Sequence, residues 1–367
     1  MEETRDNIRI CTCCGAEINT DEDDYSYVGE DIICQTCADD ECGVCDHCEE
    51  LVYNNDAYTD DNHFLCPNCY ENYYTRCEDC GRIVSNNDSY YSNDYDFCYD
   101  CYEKRHSSIH EYSYKPTPIF YGEDKRFFGV ELEIDHGGKD DDYADELLDI
   151  ANAESEKIYI KSDGSLDDGM EIVTHPMTLD YHMNHFCWDK LTAHAVRLGY
   201  RSHQTSTCGL HVHVNRNGLG EDADEQDDTI SRILYFVEAH WNELLKFSRR
   251  SEYSMNRWAA RHGYEHDPKK LLDKAKSNYN RYCAVNLCNT HTVEFRLFRG
   301  TLKLNTLLAT IQMVNHICEV AYRLTDHDLQ TMSWSEFVGY IQEPELIQYL
   351  KERRLYVNEA VENEEDM

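Results

Sequence analysis

Twelve cysteines between Cys11 and Cys101 recur as Cys-x2-Cys pairs at near-constant spacing, and no other feature restricts the fold of this chain so strongly. Cys45-x2-Cys48 is followed after 17 residues by Cys66-x2-Cys69, and Cys77-x2-Cys80 after 17 residues by Cys98-x2-Cys101, so corresponding cysteines stand 32 positions apart. The text between them repeats as well, LVYNNDAYTDDNHFLC against IVSNNDSYYSNDYDFC. A looser copy runs from Cys11-x2-Cys14 to Cys34-x2-Cys37 with 19 residues between. Four thiolates offered from two hairpin-like turns suit tetrahedral Zn2+, and with no position left open for water each site is structural. Units of about 30 residues bury too little apolar surface to fold alone. Zinc binding, worth about 10 to 16 kcal/mol in small modules, supplies the deficit. The pattern therefore predicts three zinc-ribbon or treble-clef/LIM-like modules, at 1–40, 41–72 and 73–105. Cys13 and Cys42 are spare and leave the ligands of the first module open. Modules of this shape commonly serve as docking surfaces, an analogy of fold only. Half of the 28 tyrosines lie at or before Tyr114, either as interface residues or as a substitute core over the knuckles.

Charge divides the chain unevenly. Residues 1–118 hold 7 Lys and Arg against 28 Asp and Glu, a balance of -21, and the remainder carries -17 of the total -38. Nucleic-acid backbones and anionic membranes are bound chiefly through clustered Lys and Arg, so neither is an expected partner. A basic protein or peptide suits the charge, as does simple solubility. No run approaches the roughly 20 apolar residues that span a bilayer. The opening MEETRDNIRI lacks the layout of an export signal. With 19 cysteines mostly in metal-ligand pairs, the expected compartment is a reducing cytoplasm.

A polar, proline-containing stretch, residues 106–118, reads as a linker. Beyond it, four segments alternate apolar with metal- or phosphate-seeking side chains: FGVELEID from Phe128, GMEIVT from Gly169, GLHVHVN from Gly209 and TVEFRLFR from Thr292. Strand periodicity puts Val130, Leu132 and Ile134 on one face and Glu131, Glu133 and Asp135 on the other, and likewise opposes Glu171, His211, His213, Glu294 and Arg296 to apolar neighbours. A half-solvated antiparallel sheet alternates in the same way, but its outer face is usually Thr, Ser, Lys and Gln. Between the strands, Ile230, Ile233, Leu234, Val237, Trp241, Leu244 and Leu245 form a helical stripe, as do Leu307, Leu308, Ile311, Val314 and Ile317, with Asn305 as cap. Helices are also expected around Tyr143–Ala153 and Leu179–Leu198, and a short one in 346–367 ahead of an acidic tail. The order of elements is α+β, with helices on the apolar face of a curved, mostly antiparallel sheet. Clustered carboxylates suit Mg2+ held with substrate phosphates, and arginines beside them suit a phosphoryl group in transfer. No P-loop or kinase signature occurs.

FGVELEID, KSDGSLDDGMEIVTHPM, CGLHVHVN and NRYCAVNLCNTHTVEFRLFRGTL, in that order, resemble the amidoligase family, carboxylate-amine ligases related to glutamine synthetase and glutamate-cysteine ligase. The resemblance covers roughly residues 125–320 and implies a glutamine-synthetase-like catalytic domain, set here at 119–345. It implies ATP and Mg2+ as cofactors beside three structural Zn2+, and carboxylate and amine substrates, small molecules, peptides or proteins. By this resemblance Glu131, Glu133, Glu171 and Glu294 hold Mg2+, and Arg296 and Arg299 bind the transferred phosphoryl group. His211 and His213 lie against ATP phosphates or a metal, Asp163 with Ser165 positions the amine, and Arg281 and Asn286 contact substrate or nucleotide. Thr174, His175 and Pro176 form a loop at the substrate mouth.

Two rival readings use the same residues. A metal-dependent hydrolase with His211, His213 and a Glu around Zn2+ accounts for the imidazoles but leaves both arginines idle. A zinc-module adaptor with an inactive ligase-like domain leaves the complete Glu set unexplained. Cys187, Cys208, Cys283, Cys288 and Cys318 read as buried thiols.

Overall fold

The computed structural model describes residues 7–92 and 94–356 and divides into two compact units, Met1–Ser107 and Ser108–Met367. The first unit repeats one motif three times. Strands β1 (Ile8–Ile10) and β2 (Glu17–Asn19) form a hairpin carrying Cys11 and Cys14 in its turn. A second hairpin, β3 (Tyr25–Val28) and β4 (Asp31–Cys34), leads into helix α1 (Gln35–Glu41), which holds Cys37 in its first turn. The order recurs with β5 (Cys42–Val44), β6 (Leu51–Tyr53), β7 (Tyr58–Thr59), β8 (Phe64–Leu65) and α2 (Pro67–Tyr73). It recurs again with β9 (Tyr74–Arg76), β10 (Ile83–Ser85), β11 (Tyr90–Ser92), β12 (Tyr95–Phe97) and α3 (Tyr99–His106).

The second cysteine pair of each module thus comes from a helix start and not from a hairpin turn. Cys34, Cys66 and Cys98 are the extended N-cap residues. Knuckle, hairpin and helix in this order argue for the treble-clef alternative over the ribbon. Neighbouring modules share their small cores. Leu51 and Tyr53 pack with Ile18 and Ile33 of the first module, and Ile83 is buried with Cys45, Leu65 and Cys66 of the second. Asp60 also accepts a hydrogen bond from the Ile83 N–H at 2.6 Å.

The second unit is built on seven strands: β13 (Ile109–His110), β14 (Phe128–Ile134), β15 (Ile158–Lys161), β16 (Met170–Thr174), β17 (Gly209–Asn215), β18 (Val285–Asn286) and β19 (Thr292–Arg299). They pair in the order β13-β15-β16-β14-β17-β19-β18, antiparallel except for β13 beside β15. Val130, Leu132, Ile172, Leu210, Val212 and Phe295 are fully buried in one core. Helices α4 (Asp141–Ala151), α5 (Leu179–Asn184), α6 (Trp188–Arg197), α7 (Ala223–Ala239), α8 (Trp241–Ser248), α9 (Glu252–Trp258), α10 (Pro268–Ser277) and α11 (Leu304–Arg323) contribute to it. Three shorter helices follow, α12 (Asp326–Thr331), α13 (Trp334–Gly339) and α14 (Pro344–Glu352). The architecture is α+β around one main sheet. No helix among the described residues is long and apolar enough to cross a membrane.

Several boundaries differ from the sequence reading. The segment taken as a linker supplies edge strand β13, because Ile109 is an isolated apolar residue that the sheet can bury. The stretch around 179–198 is two helices, separated where Phe186 turns back onto Trp188 with ring centroids 4.7 Å apart. The long stripe from Ile230 likewise breaks at His240. Asn305 is no cap. Lys303 occupies that position, and the Asn305 amide instead donates to the Glu345 carbonyl at 3.2 Å. The expected boundary at 345/346 cuts through α14, whose Leu346, Tyr349 and Leu350 join the main core. The acidic tail lies outside the described residues.

Candidate functional site

In each module four cysteine Sγ atoms, those of the sequence-predicted sets, lie within 4.8 Å of one another. Separations across the two pairs are 3.7 Å for Cys14–Cys34, 3.9 Å for Cys48–Cys66 and 3.8 Å for Cys80–Cys98. A tetrahedron with Zn–S bonds of about 2.3 Å has edges near 3.8 Å, so these donors fit Zn2+. Burial raises the thiols of Cys11, Cys45 and Cys77, but several backbone N–H donors outweigh it and hold each at about 6. Among those donors are the Cys34 and Cys66 N–H groups, each 3.3 Å from sulfur. The first set is Cys11, Cys14, Cys34 and Cys37, and the spare Cys13 and Cys42 stand outside it.

In the second unit the polar face of the sheet gathers the predicted carboxylates. Cross-strand register sets Glu133 beside Glu171, Glu131 beside His211, His213 beside Glu294, and Lys161 beside Glu171. Two groups of convergent donors result, Glu131–His211–Glu294 and Glu133–Glu171–His211, with His211 common to both. His211 Nδ1 lies 3.3 Å from Glu131 and 3.8 Å from Glu294. Lys161 Nζ stands 3.0 Å from Glu171 Oε2. Buried carboxylates, Glu171 among them with only 2 % of its residue exposed, converging with one imidazole make a donor set that fits a hard divalent cation.

The ionisation pattern agrees with that fit. Burial together with the Glu131 charge holds the Glu171 carboxyl well above the usual range, against the pull of Lys161. Burial also raises Glu133, partly opposed by His211. Burial works against charge on Glu131 too, yet His213 and His211 win and hold it well below the usual range. His213 responds in kind. Although burial disfavours its cation, Glu131 and Glu294 lift it to about 9.

Beside these groups lies a cavity of about 520 Å³. Arg250, Arg257, Arg281, Arg296 and Arg299 line it, facing Glu133, Asp163 and Asp167 in the same cavity, and Trp258 and Tyr282 add aromatic walls. Arg296 pairs with Glu294, while its buried Nε has no acceptor. Strict alternation along β19 would put Arg299 on the opposite face from Arg296. A β-bulge corrects this: Val212 pairs with Phe295 but Leu210 with Phe298, so one extra residue is absorbed and Arg299 falls opposite Gly209. Gly209 is itself where the site closes. A Cβ there would stand 2.6 Å from both Arg250 Nη2 and His211 Nε2 and 3.3 Å from Glu133.

Two contributors were not legible as site residues. Arg250 and Arg257 carry no motif around them. Asp135 was placed on the polar face, but its work is local: fully buried, it accepts from the Asp168 N–H at 2.7 Å, the Asp167 N–H at 3.1 Å and the Thr207 hydroxyl at 2.6 Å. It thereby pins the Asp163–Asp168 loop at the cavity.

Other expected positions move. Asp163 and Ser165 line the cavity and also form a turn, Ser165 N–H to Asp163 at 2.6 Å. Asn286 is buried and donates to Glu294 at 2.8 Å, so it orients that carboxylate. Arg281 bonds the hydroxyls of Tyr112 and Tyr282 at the rim. Thr174 and His175 are not at the substrate mouth. By strand parity Thr174 lies on the apolar side, where its hydroxyl accepts from the Val130 N–H at 2.9 Å, and His175 accepts from the Ile119 N–H at 3.2 Å. Pro176 is likewise occupied, its carbonyl accepting from the Tyr121 N–H at 3.0 Å. Cys208 is buried and its thiol is pushed up to about 12, mainly by burial. Cys288, expected to be buried, is exposed.

No family model matches this chain, and no curated protein matches it in sequence. Among solved structures, a bifunctional glutathione synthetase from Pasteurella multocida is similar at a TM-score of 0.37 and 13% identity, over 62% of this chain and 46% of that one. The chain thus spans under half of that protein's length, and a likeness this slight carries no argument. The functional reading rests on the geometry of the site.

Proposed function

We propose that the second unit is an ATP- and Mg2+-dependent carboxylate-amine ligase of the glutamine-synthetase-like amidoligase kind, forming an amide or isopeptide bond through an acyl phosphate. The observation that carries this is the meeting of two carboxylate-rich donor groups with five arginines around one cavity. That combination serves a reaction in which polyphosphate charge must be held and a phosphoryl group moved.

Glu131, Glu294, Glu133, Glu171 and His211 are the residues that would hold Mg2+. When bound, the cation neutralises phosphate charge and orients the nucleotide. Arg296 and Arg299 bind the γ-phosphoryl group as it passes from ATP to a substrate carboxylate oxygen with release of ADP. They then hold the acyl phosphate while the amine nitrogen attacks the acyl carbon and inorganic phosphate departs. Asp163 accepts the proton that the amine loses, and Asp135 holds its loop at the cavity. Asn286 keeps Glu294 in register. The zinc modules dock the substrate or a protein partner, and their strongly acidic surface favours a basic one. Cysteines held as metal ligands fit a reducing compartment such as the cytoplasm.

His213 counts against the hydrolase reading, because that reading needs both imidazoles around one zinc and His213 stands outside both donor groups. A full set of site charges counts against an inactive adaptor. The deciding experiment screens carboxylates and amines for substrate-stimulated, Mg2+-dependent ADP formation by the full chain, with mass spectrometry of the product. Glu131→Gln and Arg296→Ala are expected to abolish turnover, and unchanged turnover in both would sink the ligase reading.

A further inference from the structure

A second basic site lies beside the first. A cavity of about 510 Å³ is lined by Lys246, Arg249, Arg250 and Arg353, a cluster of cations in a chain whose net charge is -38, together with His203. Arg250 also lines the cavity of the proposed active site. Arg249 is the C-cap of α8 in the left-handed region, φ 60°, a conformation unfavourable for a branched-out polar side chain unless its surroundings demand it. The turn is fixed by the Ser248 hydroxyl, which accepts from the Arg250 N–H at 3.2 Å. Arg353 is anchored by two hydrogen bonds, Nε and Nη2 to the Lys246 carbonyl at 3.0 and 2.8 Å. This arrangement covers one of the carbonyls that would make a helix C-terminus repel an anion.

Two buried nitrogens from separate segments, Arg249 Nη2 and His203 Nδ1, have no hydrogen-bond partner among the described residues. Buried polar atoms are rarely left so. Like charges add to the burden: burial, then Arg353 and Arg299, depress Arg249, and burial, then Arg249, depresses His203. Glu352, which acts on Arg249, is already engaged by Lys303 at 2.8 Å.

We propose that this cavity binds a phosphate-bearing small anion, with Arg249, Arg353 and Lys246 as its main cationic contacts and His203 completing the set. Arginine forks match phosphate oxygens in pairs and remain charged when half-buried, which lysine alone does less well. A single carboxylate would leave most of these donors idle, whereas a diphosphate engages them together. The assignment does not depend on ligase activity in the neighbouring cavity.

The test is calorimetric titration of the full chain with inorganic pyrophosphate and inorganic phosphate, without added Mg2+. Wild type is expected to bind pyrophosphate more tightly than phosphate. Arg249→Gln and Lys246→Gln, each checked for an unchanged melting temperature, should weaken binding at least tenfold, while Arg296→Gln should leave it within twofold. Loss of binding in Arg296→Gln with retention in the other two would assign the anion to the sheet site and overturn the proposal. Absence of binding by the wild type would overturn it too. Lys246 lies at the cavity edge and is exposed, so its variant remains informative if Arg249→Gln fails to fold.

Discussion

His182 gives a stability prediction whose size follows from two hydrogen bonds. The imidazole is fully buried on α5. Its Nε2–H donates to the Phe128 carbonyl at 3.0 Å, at the start of the strand that carries Glu131 and Glu133, and its Nδ1 accepts from the Trp188 indole N–H at 3.3 Å. Only the neutral ring satisfies both partners, because a proton on Nδ1 would face the indole donor. Burial accordingly depresses the group to about 4, against the opposing effect of the Phe128 bond. A histidine depressed in the folded state binds its proton earlier in the unfolded chain. Its contribution is therefore complete above about pH 6.5, falls as the pH drops, and is spent near pH 4. The full span is about 3.4 kcal/mol, and at pH 5 the loss is about 2 kcal/mol. All four tryptophans, Trp188, Trp241, Trp258 and Trp334, lie in the second unit, so urea unfolding followed by their fluorescence reads that unit without the zinc modules. His182→Gln keeps a donor and an acceptor but cannot titrate. Wild type should lose about 2 kcal/mol more than the variant between pH 8 and pH 5. Equal losses in the two proteins would refute the reasoning, as would an NMR titration placing the folded-state His182 near its ordinary value.

Metal analysis of the purified chain should find three zinc ions, falling to two in Cys45→Ser; fewer than two in the wild type would refute the module assignment. Gly209→Ala should lower Mg2+-dependent ADP formation at least tenfold, since its Cβ would displace Arg250 Nη2 and His211 Nε2. Full activity in that variant would show that Arg250, His211 and Glu133 need not converge there. Removal of residues 1–107 should preserve nucleotide binding and reduce turnover on a protein or peptide substrate. The cut must not extend to 118, because Ile109 and Tyr112 belong to the second unit, and equal turnover would discard the docking role.

Where spacing alone sets the outcome, the sequence was a sufficient guide. Cys-x2-Cys spacing marked the twelve cysteines that gather into three groups of four, and period-two alternation put Glu131, Glu133, Glu171, His211 and Glu294 on one face. What stayed hidden depended on contacts between distant segments. The break between α5 and α6 reflects Phe186 packing on Trp188, which no local propensity encodes. Arg250 and Arg257 reach the site only because α8 and α9 happen to end beside β19, and neither sits in an alternating motif. Asn286 and Thr174 looked functional by proximity in sequence, but a partner strand turned one into a support for Glu294 and the other into a sheet contact. Arg299 is the instructive case. The motif placed it with Arg296, parity alone forbade it, and a single bulged residue in β19 reconciles the two.

The charge balance of the same face bears on the proposed cation. Glu131, Glu133, Glu171 and Glu294 place four carboxyls in a half-buried or buried setting, answered within the site by Lys161, Arg296 and a charged His213. Buried charges are costly, and like charges beside them add to the cost. Glu171 bears most of it: its carboxyl is driven up by burial and by Glu131, against the pull of Lys161 at 3.0 Å. Replacing one of these glutamates with leucine would be a better solution if stability were the only demand. A face that crowds four carboxyls, drives the Glu171 carboxyl up and leaves the buried Arg296 Nε without an acceptor suits a ligand that brings both signs of charge. The magnesium nucleotide proposed above is such a ligand, its cation taking the carboxylates and its phosphates the arginines.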